Sequence, residues 1–288
     1  MKQIFCVVAC LSALCLVKPS FAEDGQQYRT VMERAVSSMV TVKAVLKTSM
    51  KFGGQGRDTE SRLEAQGLVV AADGLVMFSN LPLNPEKLMG QDGGGGEDGG
   101  QRFGMKITPT SFKVTFGREE KEYPAYLVAT DSKLDLAFVK IEDLGGRKVL
   151  PIAFDTSSTV LIGQEVLYIT RLSKGYDYAP FFATLHIAGE IRKPRKAWVL
   201  DLGIAEPAMP IYTRSGKIIG VVALVESSVR DESGDGGFSS RGGGNQAFVV
   251  PSTVVQGVLD QAKIRAASAF LKRKSEKKTG RGTPPENK

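Results

Sequence analysis

Histidine occurs once in this chain, at position 186, and tryptophan once, at position 198. All three cysteines, Cys6, Cys10 and Cys15, lie within the first 22 residues. Beyond that stretch there is no thiol, which excludes a disulfide framework, a cysteine nucleophile and a thiolate metal site. One imidazole excludes a histidine-built zinc centre, leaving only carboxylates for a hard cation. The clusters Glu119-Glu120-Glu122 and Asp231-Glu232-Asp235 lack the regular ligand spacing of a calcium loop and read as solvated acidic surface. Gly93–Gly96 is followed by neither Lys-Ser/Thr nor a helix, so it is no phosphate cradle. No metal and no cofactor is therefore expected. Apolar runs are also short: none reaches the roughly 20 residues a membrane-spanning helix needs, so no transmembrane segment is expected.

What is present begins with Met1-Lys2, an apolar stretch from Ile4 to Val17, and Ser20-Phe21-Ala22. A positive start, a brief apolar core and small residues before a cleavage point predict a secretory signal over residues 1–22. Val7-Val8-Ala9-Cys10 also loosely fits a lipoprotein signal, at the expense of the apolar core. Export places the expected location in the periplasm or outside the cell. The formal charge of +7 is confined to the ends. Lys272–Lys288 holds seven basic and two acidic residues, Lys2 and Lys18 supply the remaining two, and the body between is close to neutral. A basic tail of this kind does not make a nucleic-acid-binding domain, and no nucleic-acid partner is expected.

Met89–Gly104 and Asp231–Asn245 are rich in glycine and acid and read as linkers or long loops, as does the basic tail over 272–288. Between them run short β-type segments. Val40–Lys51, Glu64–Ala71 and Leu75–Ser79 come first, with Ala72-Asp73-Gly74 as a turn. Phe112–Phe116, Glu122–Thr130 and Leu136–Ile141 follow, and a third group spans Glu165–Arg171, Phe181–Ile191, Ala197–Leu202, Met209–Thr213, Lys217–Val225 and Gln246–Val250. Helical periodicity is confined to Gln27–Ser37 and Pro251–Leu271, where Val254, Val255, Val258, Leu259 and Ala262 share a stripe. Many short strands and one closing helix predict an all-β sandwich or barrel pair.

Four segments carry a more specific signal. Gln66-Gly67-Leu68-Val69-Val70, then Asp73-Gly74-Leu75-Val76-Met77-Phe78-Ser79-Asn80, resembles the approach to the catalytic histidine in HtrA/Deg-type trypsin-like serine proteases. Asp131 with Leu134-Asp135-Leu136-Ala137-Phe138-Val139-Lys140-Ile141 is similar to the run bearing that family's catalytic aspartate. Leu150-Pro151 with Gly163 and Val166 resembles the opening of its second barrel, and Ala247-Phe248-Val249-Val250-Pro251 the entry to its C-terminal helix. The resemblance spans about 35–261 and includes no PDZ domain. It implies a trypsin-like double six-stranded β-barrel over residues 23–271: barrel 1 at about 35–145, barrel 2 at about 150–250, and a helix over 251–271.

The same resemblance sets the register of the catalytic positions. Pro210, Gly216 and Ile219-Gly220-Val221 match the family's pattern after its nucleophile, which lays Ala205-Glu206-Pro207-Ala208-Met209-Pro210 on G-N-S-G-G-P. Leu81 then falls at the histidine, Asp135 at the aspartate and Pro207 at the serine. Hydrolysis by this mechanism needs a hydroxyl, an imidazole and an orienting carboxylate. Leu81 accepts no proton, Pro207 has no hydroxyl, and Asp135 has nothing to orient. Proline also lacks the amide N–H that the nucleophile position contributes to the oxyanion hole. A lost donor alone costs roughly 10²–10³ in rate. Ala205, Ala208 and Met209 in place of glycines reshape the former oxyanion loop Ala205-Glu206-Pro207 further.

The expectation is a non-catalytic serine-protease homologue of the cell envelope with a polypeptide-binding or scaffold role. Protease clefts hold peptides as an added strand, which needs no triad. Two alternatives stand beside it. One is an active serine-type endopeptidase using His186 as a relocated base with Ser157, Ser158 or Ser173. The other is attachment to an anionic envelope surface through the basic tail, by contacts that weaken with salt.

Overall fold

The computed structural model describes residues 20–52, 55–84, 104–201, 206–225 and 246–278. Residues 1–19 of the expected signal lie outside this set, as do 89–103, Asp231–Asn245, Ala205 and the tail beyond Lys278. Helix α1 (Ser20–Ser37) leads into strands β1 (Met39–Phe52), β2 (Gln55–Ala71) and β3 (Leu75–Ser79). Next come β4 (Gly104–Phe116), β5 (Tyr123–Asp131) and β6 (Leu136–Ile141). The second half holds β7 (Glu165–Arg171), β8 (Pro180–Ile191), β9 (Ala197–Leu200), β10 (Pro210–Thr213), β11 (Ile218–Val225) and β12 (Gln246–Pro251), and closes with α2 (Ser252–Lys278).

The strands close two antiparallel barrels, ordered β1-β2-β3-β6-β5-β4 and β10-β11-β12-β9-β8-β7. The fold is the expected all-β double six-stranded barrel with a C-terminal helix. Alternation builds it: along β1, Val40, Val42, Ala44 and Leu46 point into the first barrel, where they meet Val76, Phe78, Val114 and Val139. Strand β6 is apolar on both faces, because both are covered. Ala137, Val139 and Ile141 fill the barrel, while Leu136 and Phe138 turn outward into the larger core shared with the second barrel and both helices. Burying a side chain of this size contributes about 1.5–3 kcal/mol. Lys140, on that outward face and buried, is held by the carboxylate of Asp73 at 3.0 Å and by the Asp73 carbonyl.

Close backbone approach dictates one residue in the second barrel. A Cβ on Gly220 would stand 2.2 Å from the carbonyl oxygen of Val250, so only glycine fits where β11 crosses β12. Helix α2 is anchored by Val255, Leu259, Ala262 and Ala266. It runs past Leu271, where sequence periodicity ends, because Arg273 bonds Glu142 at 2.5 Å and stacks 4.3 Å over the Tyr126 ring. Among the described residues no helix is long and apolar enough to cross a membrane.

Strands β1, β2 and β4 extend beyond the first barrel. β1 pairs with β2 out to Phe52↔Gln55 and with β4 out to Lys51↔Gly104. β3 meets β2 only from Gly67, and β5 meets β4 only from Phe112. Among the described strands, the outer edges of this three-stranded projection are therefore unpaired. Arg57, Asp58, Glu60 and Arg62 charge the β2 edge, the usual protection against edge-to-edge aggregation.

Candidate site at the barrel junction

Position 81 follows directly from the end of β3. Leu81 opens a short 3₁₀ turn, Leu81–Leu83, with its amide on the Ser79 hydroxyl at 3.2 Å. Asp135 stands immediately before β6, the strand paired with β3 through Ser79↔Leu136. It is fully buried, adopts φ +55°, and accepts the Asn80 amide on its carbonyl at 2.7 Å. The residues on either side of the β3 terminus are thus held together by one backbone bond.

Pro207 enters from the second barrel. Glu206-Pro207-Ala208-Met209 forms a β-turn closed by the Met209 amide on the Glu206 carbonyl at 3.3 Å. Proline stands second and a residue with φ +69°, Ala208, stands third. This is the type II arrangement, in which proline pre-sets the first bend and the next residue must go left-handed. Every amide of the turn is consumed: Glu206 N–H donates to the Tyr168 hydroxyl at 3.2 Å, Ala208 N–H to the Val222 carbonyl at 2.7 Å, and Met209 N–H to Glu206. Pro207 has none.

Leu81 and Pro207 face a common cleft of about 340 Å³ between the barrels. Its first wall is Leu63, Glu64, Ala65 and Gln66 of β2, and its second is Arg171, Ser173, Lys174 and Tyr178 from the end of β7 and the loop into β8. The walls are tied by Gln66 Nε2 donating to the Arg171 carbonyl at 3.4 Å. Glu206 also lines the cleft. It is exposed, yet the protein around it displaces enough water to hold its carboxyl above the ordinary value, an effect the nearby Thr170 hydroxyl partly offsets. The structure thus places Leu81, Glu206 and Pro207 on one cleft, with Asp135 buried behind the end of β3.

The other candidates lie elsewhere or are occupied. His186 Nδ1 sits 2.9 Å from Asp201 Oδ2, and the His186 amide donates to Oδ1 at 2.9 Å. That amide is the main reason the Asp201 carboxyl stays below its usual range. His186 pairs with Glu165 at the start of β7, whereas Ser173 follows its end, so the hairpin's length of about 20 Å separates them at ~3.3 Å per residue. The Ser157 hydroxyl donates to Asp155 at 2.6 Å, and Ser158 donates to the second oxygen of the same carboxylate. Glu119 is paired with Arg147 at 2.6 Å, and Glu122 with Lys113 at 2.6 Å. Sequence reasoning missed Arg171 and Gln66 as cleft residues. No motif marks them, and only the strand order brings them together.

Two closed six-stranded antiparallel barrels meeting at a cleft define the chymotrypsin-like double-barrel class. No protein-family model and no curated protein sequence matches the chain.

Proposed function

We propose that this protein is a catalytically disarmed serine-protease homologue of the HtrA/Deg type, exported to the cell envelope, whose junction cleft binds polypeptide in a scaffold or recruiting role. The observation that carries the reading is the turn at Glu206–Met209. Amide-bond hydrolysis by a serine needs a nucleophile beside free backbone donors that catch the developing oxyanion. In the described part of this loop each N–H already has an acceptor, and position 207 has neither hydroxyl nor N–H. Across the cleft the position for a base is an alkyl side chain.

Binding remains open to such a site. The wall formed by Leu63–Gln66 belongs to a strand whose edge on that side carries no partner among the described residues. Backbone donors and acceptors there suit addition of an extended peptide, with the cleft receiving alternate side chains. The test is a peptide-array and pull-down screen of the exported chain, run beside fluorophosphonate labelling and casein digestion. Retained peptides with neither labelling nor cleavage are expected. Absence of any polypeptide partner at micromolar concentration overturns the binding reading, and labelling of the protein overturns the disarmed one.

A further inference from the structure

The cleft contains an arginine whose charge no described residue compensates. Arg171 is half-buried and, among the described residues, enters no ion pair; its side-chain hydrogen bond there runs from Nη2 to the Val36 carbonyl at 3.0 Å. Among the described residues, Nε is enclosed without an acceptor and Nη1 has none either. The charge that acts on it is of like sign: Arg118, itself paired with Asp177 at 3.0 Å. Burial first, and Arg118 second, hold the guanidinium below its ordinary value. Lys174, on the same wall, makes no ion pair among the described residues either. Removing a cation from water without an anion is unfavourable, and the usual compensation is a carboxylate in bidentate or charge-assisted contact. The cleft's own carboxylates, Glu64 and Glu206, do not provide it, since neither pairs with Arg171 or Lys174 within 4.0 Å.

We propose that the cleft selects polypeptide segments presenting a carboxylate, and that Arg171 receives it through Nη1 with Lys174 as the neighbouring cation. This rests on the reading that the cleft binds polypeptide, and adds the chemistry of what is bound. An acidic side chain and a C-terminal carboxylate offer the same group, so the experiment separates them.

The probes are fluorescein-labelled octapeptide pools with one fixed position held as Glu, Asp, Gln or Asn, each with a free or an amidated C-terminus. Binding to the exported chain is followed by fluorescence anisotropy. A charge-assisted contact predicts that carboxylate pools bind about tenfold or more tighter than their isosteric amides. Preference tied to the fixed position identifies a side chain; preference lost on amidation identifies the terminus. In Arg171→Gln the preference for carboxylate over amide pools is expected to vanish. The comparison within the unaltered protein decides the matter even if that variant does not fold. Lys174→Gln, on an exposed turn, is expected to reduce the preference only partly. Binding of all pools with equal affinity overturns the inference and leaves the polypeptide-binding reading intact. Binding of none overturns both. A preference that survives Arg171→Gln but is lost in Lys174→Gln overturns the assignment to Arg171.

Discussion

Restoring the two missing side chains should not restore an efficient enzyme. The variant Leu81→His/Pro207→Ser places an imidazole after β3 and a hydroxyl in the turn, with Asp135 already buried beside the Asn80 backbone. It also returns one amide, at 207. The oxyanion site needs a preorganised set of donors, and the amides at 206, 208 and 209 are bonded at 3.2, 2.7 and 3.3 Å to Tyr168, Val222 and Glu206. Freeing one of them means opening a closed turn. Where one donor of that set stays bonded, the rate remains about 10²–10³ below that of an intact site. The exchange also removes a proline that pre-sets the turn. That destabilises the fold by about 0.4–1 kcal/mol through the unfolded chain, or about 1–4 °C in Tm. The assay is the second-order rate of fluorophosphonate labelling beside a trypsin control, with circular dichroism to verify folding. The expected result is no labelling of the unaltered protein and labelling of the double variant at least about a hundredfold slower than trypsin. Labelling of the folded double variant at the trypsin rate refutes the argument that the turn itself is disarmed.

Gly220→Ala drives a methyl against the Val250 carbonyl at 2.2 Å; overpacking of this kind is expected to cost about 3 kcal/mol, read from the midpoint of urea denaturation, and an unchanged midpoint contradicts the packing described. Phe138→Ala, on the outward face of β6, removes a fully buried ring and is expected to lose about 3–5 kcal/mol in the same measurement. Glu206 supplies a pH test. Its folded carboxyl is held above the ordinary value of 4.5 by the surrounding protein's exclusion of water, so the folded chain binds that proton more tightly than the unfolded one. Stability therefore falls as pH rises from about 4.5 through the raised value. Glu206→Gln is expected to flatten that part of the Tm–pH curve and leave the rest unchanged; parallel curves exclude the effect.

The fold was legible wherever one face of a strand is apolar and the other is not, or where both are buried. Leu75–Ser79, Leu136–Ile141 and Glu165–Arg171 have the boundaries their patterns predict. The first half of β2 and of β4 was not legible. Gln55–Arg62 has no apolar residue, because both its faces meet solvent and its partner β1 alone holds it extended. At the site, the ruler through Pro210, Gly216 and Gly220 led to the Glu206–Met209 turn, whose Glu206 and Pro207 line the cleft, because Gly216 takes φ +82° and Gly220 lies against the Val250 carbonyl. Arg171 was invisible for the opposite reason: a lone cation at a strand end looks like any surface residue until the first barrel and α1 close over it. His186 showed no partner either, since Asp201 reaches it only through the β8–β9 ladder, with its bulge between Ile187 and Gly189.

The projection built from β1, β2 and β4 gives the junction an unusual outline. The wall at Leu63–Gln66 does not stop where the cleft stops; the same unpaired edge continues back to Gln55, a run of about 35–40 Å at ~3.3 Å per residue. Among the described residues, a guest laid on it meets no end wall in that direction. Its footprint is then set by its own extended length, and longer segments gain contact one residue pair at a time along a charged rail.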